Sequence, residues 1–370
     1  MDEIQAGQSY RLDCEKIRPV CRQILQKLGM SSKDADTVVD NLLFADLRGV
    51  SSHGISRMKL YSDRARKGYY NVAPQLQIVN DRGGALLLDG GNGYGAVAGK
   101  AAMDLVMERA KKYGCAVCAV RRSNHFGAAS YYTAMAAAKD MIGFSITNGP
   151  ANMAPFGSKE SMVGTNPFSV ALPAGKHPPM ILDVATSVVA RGKIINASKE
   201  GKSIPDGWAM DRDGNPTNDA KLALAGSVLP FGGHKGSGIA IVIDAMCGVL
   251  SGAAFGRHIR QLTEAGMAGA EPGSGADIGH LFVAIDIAAL QDVDAFKSRM
   301  DLMIDELKAA EKAPGVTEIL APGELEARKA QYNAENGITV SGATILELIN
   351  LCRELEIEQH ILDWSKPDTK

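Results

Sequence analysis

The stretch "SSHGISRMKLY", residues 51–61, concentrates side chains that can do chemistry. His53, Arg57 and Tyr61 are spaced four residues apart, so a helix running through them would align them on one face. An imidazole exchanges a proton near neutral pH. A guanidinium clamps a carboxylate through two parallel hydrogen bonds. The competing reading of the same stripe is a solvated helix face.

Three more segments carry candidate groups. In "RRSNHFGAAS", residues 121–130, His125 falls between a strand-like run and a helix-like run. Loops at strand ends carry ligands in α/β proteins. Gly127 permits close backbone approach, and the amides beyond it could receive an anion. The plain alternative is an N-cap turn built on Ser123 or Asn124. In "ILDVATS", residues 181–187, Asp183 ends an apolar run. A carboxylate there is costly without a partner. It could orient a histidine, or cap the segment that follows. "LPFGGHKGSG", residues 229–238, surrounds His234 and Lys235 with glycines. It lacks the P-loop spacing, yet amides and Lys235 could cradle a phosphate. A glycine-dependent turn would need the same residues.

"LLLDGGNGYGAVAGK", residues 86–100, looks like a dinucleotide fingerprint, because Gly91, Gly93 and Ala96 match G-x-G-x-x-G/A. A strand precedes it and a helix follows. The next strand ends in Arg121 and Arg122, which would suit a 2′-phosphate, and no carboxylate stands there for a ribose. The segment does not open a run of βαβ units. On local pattern, a nucleotide site and a tight strand-to-helix turn both stay open.

Other chemistries are excluded. Cys115 and Cys118 form a lone CxxC that reads as a buried strand, since no second pair completes a zinc site. "DRDGNPT" has Pro216 where a calcium loop needs glycine, so it is a turn. No H-x-x-x-H pair and no G-x-S-x-G elbow occur, so no metal is expected. A net charge of −2 without a basic stripe argues against nucleic acid. The longest apolar run, "GIAIVIDAMCGVL", carries Asp244 and is too short for a bilayer. The first residues have no apolar signal core. Six scattered cysteines make no disulfide framework, which fits a reducing cytoplasm.

These groups need a scaffold, and 370 residues allow two or three domains. Helical periodicity covers 13–68, with a third helix starting near "SHGISRMKLYSDRARKG". Strand and helix patterns then alternate to about 286. "SGIAIVIDAMCGVLSG" reads as a buried helix, and "AGMAGAEPGSGADIG" as a mobile loop. From 293 the chain is helical again. The expected class is α/β. Residues 1–80 together with 315–370 form a helical domain, and 81–314 form the sheet-bearing domain.

Eight motifs in order, "SSHGISR…Y", "SNHFGAAS", "TNGPANMAPFGS", "GTNPFSVALP", "ILDVATS", "GGHKGSG", "GHLFVAIDI" and "PGE", resemble the malate/L-lactate dehydrogenase family that is distinct from the Rossmann-type enzymes. The match spans roughly residues 10 to 355. Relatives include ureidoglycolate, sulfolactate and diketogulonate oxidoreductases and reductases of cyclic imino acids.

The resemblance implies NAD or NADP bound on a non-Rossmann sheet domain, with 86–100 a turn rather than a phosphate cradle. It places the cofactor against His125, Phe126, Gly127, Asp183, Ala185, Thr186, Gly233, His234, Lys235, Gly323 and Glu324. His53 and His125 match alternative acid/base residues, and Ser52 and Asp183 match a relay to the first. Arg57 and Tyr61 match substrate contacts, and the segment around Gly149 helps choose the substrate. A small carboxylate substrate and a homodimer are implied. The expected reaction is hydride transfer between the nicotinamide and a 2-hydroxy or 2-oxo acid. Reduction of a cyclic imino acid, or nucleotide binding without catalysis, are the alternatives.

Overall fold

The computed structural model describes residues 4–199, 201–263, 265–271 and 273–368. The chain begins with β1 (Ser9–Leu12), α1 (Cys14–Lys27) and α2 (Ser32–Leu47). Two single 3₁₀ turns, Ser51–His53 and Ile55–Arg57, lead into α3 (Met58–Arg66). The middle runs β2 (Gln77–Asp81), β3 (Ala85–Asp89), α4 (Gly95–Tyr113), β4 (Cys115–Ser123), α5 (Ala129–Ala137), β5 (Met141–Thr147), β6 (Phe168–Leu172) and β7 (Met180–Val184). It continues with α6 (Arg191–Lys199), β8 (Ala209–Met210), β9 (Pro216–Thr217), α7 (Ala220–Ala225), β10 (Ser227–Val228), α8 (His234–Asp244) and β11 (Ile278–Asp286). The chain closes with α9 (Val293–Ala309), α10 (Glu324–Asn336), β12 (Ile338–Ser341), α11 (Gly342–Glu354), α12 (Ile361–Trp364) and β13 (Lys366–Pro367).

Local chemistry sets the helix starts. Asp13, Ser31, Asp292 and Ser341 each accept a backbone N–H in the first turn of α1, α2, α9 and α11. These caps satisfy donors that a helix leaves free.

The main sheet has the order β2-β3-β4-β11-β5-β6-β7. Within it β3 and β4 are parallel, and every other neighbouring pair is antiparallel. The fingerprint-like segment therefore sits in a single βαβ unit of a mostly antiparallel sheet. A dinucleotide fold of the doubly wound kind is built on consecutive parallel strands. Ala98, Met103 and Val106 of α4 and Ala136 of α5 cover one face, against Cys118, Val120 and Phe282. Cys115 is exposed while Cys118 is buried, as strand alternation requires.

A second core joins the chain ends. Ile17, Leu25, Leu42 and Met58 pack with Ile338, Ile345 and Leu348. A three-stranded sheet, β12-β1-β13, ties the same ends together. Local pattern gave no hint of it, because each strand is short. The segment 211–217 is a turn in which Asp211 accepts from the backbone of Asp213 and Asn215, both at 2.9 Å.

The expectation of a buried helix over 237–252 is corrected. α8 buries Gly236, Ala240 and Ile243, and a π turn follows over Ala245–Val249. The other face leaves Ile241, Val242, Val249 and Leu250 exposed. Asp244 apart, the segment is apolar on every face, so composition could not say which face meets this chain's own core. The loop 265–279 is partly packed, with Met267 and Ala276 buried, and Pro272 within it lies outside the described residues.

Candidate active site

No continuous helix runs through His53, Arg57 and Tyr61, so the one-face stripe does not exist as such. His53 ends the first 3₁₀ turn, Arg57 ends the second, and Tyr61 lies in α3. Gly54 separates the turns. A Cβ there would fall 1.8 Å from Asp46 Oδ1. Asp46 is buried at the end of α2, and its Oδ2 accepts the Ile55 N–H at 2.7 Å. Burial pushes the Asp46 carboxyl up to about 7.

The three side chains converge nevertheless, around His125. The Tyr61 hydroxyl is 2.7 Å from His125 Nδ1. The His53 and His125 rings stack at 5.4 Å with 26° between planes. Ser52 Oγ lies 2.9 Å from His53 Nδ1. Arg57 Nε donates to the Ser52 carbonyl at 2.6 Å, which leaves its terminal nitrogens for a carboxylate.

The glycines of 90–95 place His125. Asn124 Nδ2 donates to Asn92 Oδ1 at 2.9 Å and to the Gly93 carbonyl at 2.9 Å. A Cβ on Gly95 would fall 2.1 Å from the Asn124 carbonyl. The start of α4 is thus occupied by the His125 loop itself. Arg121 and Arg122 each reach Asp89 at 3.3 Å, and neither lines the cleft described below. On the other side, Phe126 stacks on His280 at 4.8 Å and 11°. His280 is fully buried, with Nδ1 2.7 Å from Thr147 Oγ1 and Nε2 2.8 Å from Ser123 Oγ. Burial holds its pKa down at about 3, so it is a neutral strut.

The hydrogen bonds fix the His125 tautomer. The Gly127 N–H, which can only donate, lies 3.3 Å from Nδ1. Nδ1 is therefore the acceptor, the Tyr61 O–H donates to it, and Nε2 carries the hydrogen. Burial, then Arg57 and His53, lower the His125 pKa well below the usual histidine range. Burial, then Arg57, lower that of His53 to about 4.

A cleft of about 1220 Å³ opens beside this cluster. Ser52, His53, Arg57, His125, Phe126, Gly127, Asp183, Ala185 and Gly323 line it. Tyr61 stands behind His125. Thr186 is buried and bonds the Thr165 carbonyl through both its N–H and its hydroxyl. Asp183 accepts from Ser130 N at 2.8 Å. Burial raises its pKa against the hydrogen bonds from Ser130. Among the described residues no hydrogen bond joins Asp183 to Ser52.

Gly233, His234, Lys235 and Glu324 do not line the cleft. The 229–236 loop packs on the 186–188 segment through Phe231 N–H to Thr186 O and Val188 N–H to Leu229 O. Gly233 has φ 62°, and a Cβ on Gly236 would meet the Phe231 carbonyl at 2.3 Å. These glycines serve the turn into α8. Glu324 starts α10, paired with Arg328 and with Lys308 at 2.6 Å.

Several cleft residues escaped the sequence. Arg48, Arg64 and Arg191 line it with Arg57, against the carboxylates Asp183 and Glu326. None of the three falls within a motif singled out above. His280 had a weak signal, a histidine inside an otherwise apolar strand. Gly149 lines the cleft, and a Cβ there would meet open space.

The family model for malate/L-lactate dehydrogenase matches residues 12–349. The chain is 39% identical over 340 residues to L-sulfolactate dehydrogenase of Methanocaldococcus jannaschii, covering 91% of this chain and 96% of that one. It is 38% identical over 344 residues to malate dehydrogenase of Pyrococcus abyssi, covering 91% and 92%. The crystal structure of malate dehydrogenase from Entamoeba histolytica superposes with TM-score 0.90 at 31% identity, over 95% of this chain and 99% of that one. The chain belongs to the malate/L-lactate dehydrogenase family and is an NAD(P)-dependent dehydrogenase.

Proposed function

We propose that this cleft moves a hydride between a nicotinamide and C2 of a small 2-hydroxy or 2-oxo acid of the malate, lactate or sulfolactate type. The observation that carries the reading is the convergence of Arg57, His53 and the Tyr61-backed His125 on one cleft. The cleft exceeds the usual size for one small ligand. Its four arginines against two carboxylates suit anionic guests. These features fit a dinucleotide together with a small acid. When bound, reduced nicotinamide supplies the hydride.

The protein's own residues do the rest. Arg57 holds the substrate carboxylate through its two terminal nitrogens. His125, kept as the Nε2–H tautomer, donates a hydrogen bond to the C2 oxygen. His53 transfers the proton, with Ser52 Oγ able to accept from or donate to its Nδ1. Only one of two stacked imidazoles can be charged at a time, because like charges at this distance repel. A carboxylate on Arg57 would cancel part of the field that depresses His53, so substrate arrival itself would raise that imidazole's proton affinity. Asp183 would keep the α5 start fixed through Ser130, and act on cofactor or substrate rather than in a direct relay from Ser52.

His125, Phe126, Gly127, Asp183, Ala185 and Gly323 are the cleft-lining candidates for cofactor contact. Thr186, Gly233, His234, Lys235 and Glu324 would act by supporting those walls. The exposed apolar face of α8 and its π turn supports a homodimer, since patches of this kind mark subunit contacts. Six free cysteines, four of them buried, suit a cytoplasmic setting. No helix among the described residues is long and apolar enough to cross a membrane.

The test is turnover. Oxaloacetate, pyruvate, sulfopyruvate and a cyclic imino acid are offered with NADH and with NADPH. Turnover of an oxo acid supports the reading, and turnover of the imine alone replaces it with imine reduction.

A further inference from the structure

Asp46 is a costly residue where it stands. It is 5% exposed, and it lies in the last turn of α2, where the helix dipole disfavours a negative charge. Burial raises its pKa, and among the described residues only the Ile55 N–H works against that; no cation does. A buried carboxylate without a counter-charge is a poor choice for stability alone.

Its contacts say what it supplies. The Ile55 N–H opens the second 3₁₀ turn, and a donor at such a start is usually capped by the side chain of the residue before it. That residue is Gly54, which has no side chain to offer. Asp46 Oδ2 takes the N–H instead, at 2.7 Å from nine residues back. Asp46 Oδ1 fills the place where a side chain at position 54 would begin, since a Cβ there would lie 1.8 Å away. The backbone at Gly54 is extended, with φ −90° and ψ −155°. The end of α2 is itself held, because Asn333 Nδ2 of α10 donates to the Leu47 carbonyl at 2.8 Å. Carboxylate and glycine thus form one fitted pair on a fixed support.

The pair decides how His53 and Arg57 are presented. A continuous helix would stack the two side chains one turn apart on one face. The extended Gly54 turns them separately. The His53 ring reaches that of His125 at 5.4 Å, and Arg57 Nε folds back to the Ser52 carbonyl at 2.6 Å. We propose that Asp46 is a positioning residue for the reaction, which with Gly54 fixes the offset between the proton-transferring His53 and the carboxylate-holding Arg57. Neither Asp46 nor Gly54 lines the cleft, so the pair acts through those two residues. The inference rests on the roles given above to His53 and Arg57.

The test compares wild type with Asp46→Ala, Asp46→Asn, Gly54→Ala and the Asp46→Ala, Gly54→Ala double variant. In Asp46→Ala, kcat should fall and KM for the oxo acid should rise, lowering kcat/KM about 10- to 100-fold, the scale for a reacting group displaced by about 1 Å. Dinucleotide affinity should stay unchanged. Asp46→Asn keeps an acceptor oxygen and should recover most of the loss. Gly54→Ala should show the same split. Its loss should not multiply with that of Asp46→Ala, since the added methyl group then has no carboxylate to meet. Nitrogen NMR of labelled histidines should show the His53 and His125 ring signals displaced in both alanine variants and restored in Asp46→Asn. A lowered melting temperature in Asp46→Ala with wild-type kcat, KM and ring signals would overturn the proposal, because Asp46 would then serve the fold alone. So would a loss in Asp46→Asn as deep as in Asp46→Ala. Wild-type kinetics and ring signals in Gly54→Ala would also overturn it, and that variant decides if Asp46→Ala fails to fold. Absence of oxo-acid turnover by the wild-type protein would instead refute the reading of the cleft, and the ring signals would still decide whether Asp46 places His53.

Discussion

Tyr61→Phe removes one hydroxyl from the proposed catalytic wall and little else. Tyr61 is buried, its ring packed 6.0 Å from that of Tyr70 and 5.8 Å from that of Tyr94. Phenylalanine keeps those contacts. Burial raises the Tyr61 pKa, so the phenol stays protonated and donates to His125 Nδ1 at 2.7 Å. Without it, only the longer contact from the Gly127 N–H remains. A net hydrogen bond between neutral groups is worth about 0.5–1.5 kcal/mol, so kcat/KM should fall about 2- to 13-fold. The loss should appear in kcat as well, because the Nε2–H of His125 bonds most strongly to an oxygen gathering negative charge. Affinity for the dinucleotide should not change. Initial rates of reduced-nicotinamide oxidation read the first quantities, and nitrogen NMR of labelled histidines reads the tautomer. An unchanged kcat in Tyr61→Phe, or a wild-type spectrum with the hydrogen on Nδ1, would refute the reasoning.

Four further outcomes are expected. His53→Ala should lower kcat about 10²- to 10⁴-fold, the range for loss of a general acid or base, and single-turnover rates would show it. Gly95→Ala should destabilise the fold by about 1–3 kcal/mol by crowding the His125 loop, and lower kcat with unchanged dinucleotide affinity; a selective loss of cofactor binding would restore the phosphate-cradle reading. Oxaloacetate affinity should fall as pH rises, because His53 has a pKa near 4 in the free protein and a higher one with Arg57 neutralised, so the complex takes up a proton; calorimetry in buffers of different ionisation enthalpy reads that uptake. Val242→Glu with Leu250→Glu should turn a dimer into a monomer in sedimentation, since both side chains lie on the exposed apolar face.

Much of the scaffold was legible because period and caps act locally. Ser31 and Asp13 sit where a helix must start, and the α4 pattern is unambiguous over five turns. The site was legible as a set of residues rather than as a geometry. Periodicity put His53 and Arg57 on a helix, yet the buried Asp46 carboxylate claims the Ile55 N–H and breaks that helix at Gly54. That contact spans nine residues, beyond any local pattern. The fingerprint at 91–96 misleads for a related reason. A glycine needed for a phosphate and one needed for a neighbouring carbonyl look identical in sequence, and only the Asn124 contact tells them apart. Arg48 carried no signal, because its meaning comes from what it faces across the cleft.

The most direct test of the central claim is the rate of NADH and NADPH oxidation by wild-type protein with each member of the oxo-acid panel. Reduction of at least one 2-oxo acid, with one of the two cofactors, is the predicted result. No oxidation of either cofactor with any oxo acid, by protein that binds the dinucleotide, would contradict it.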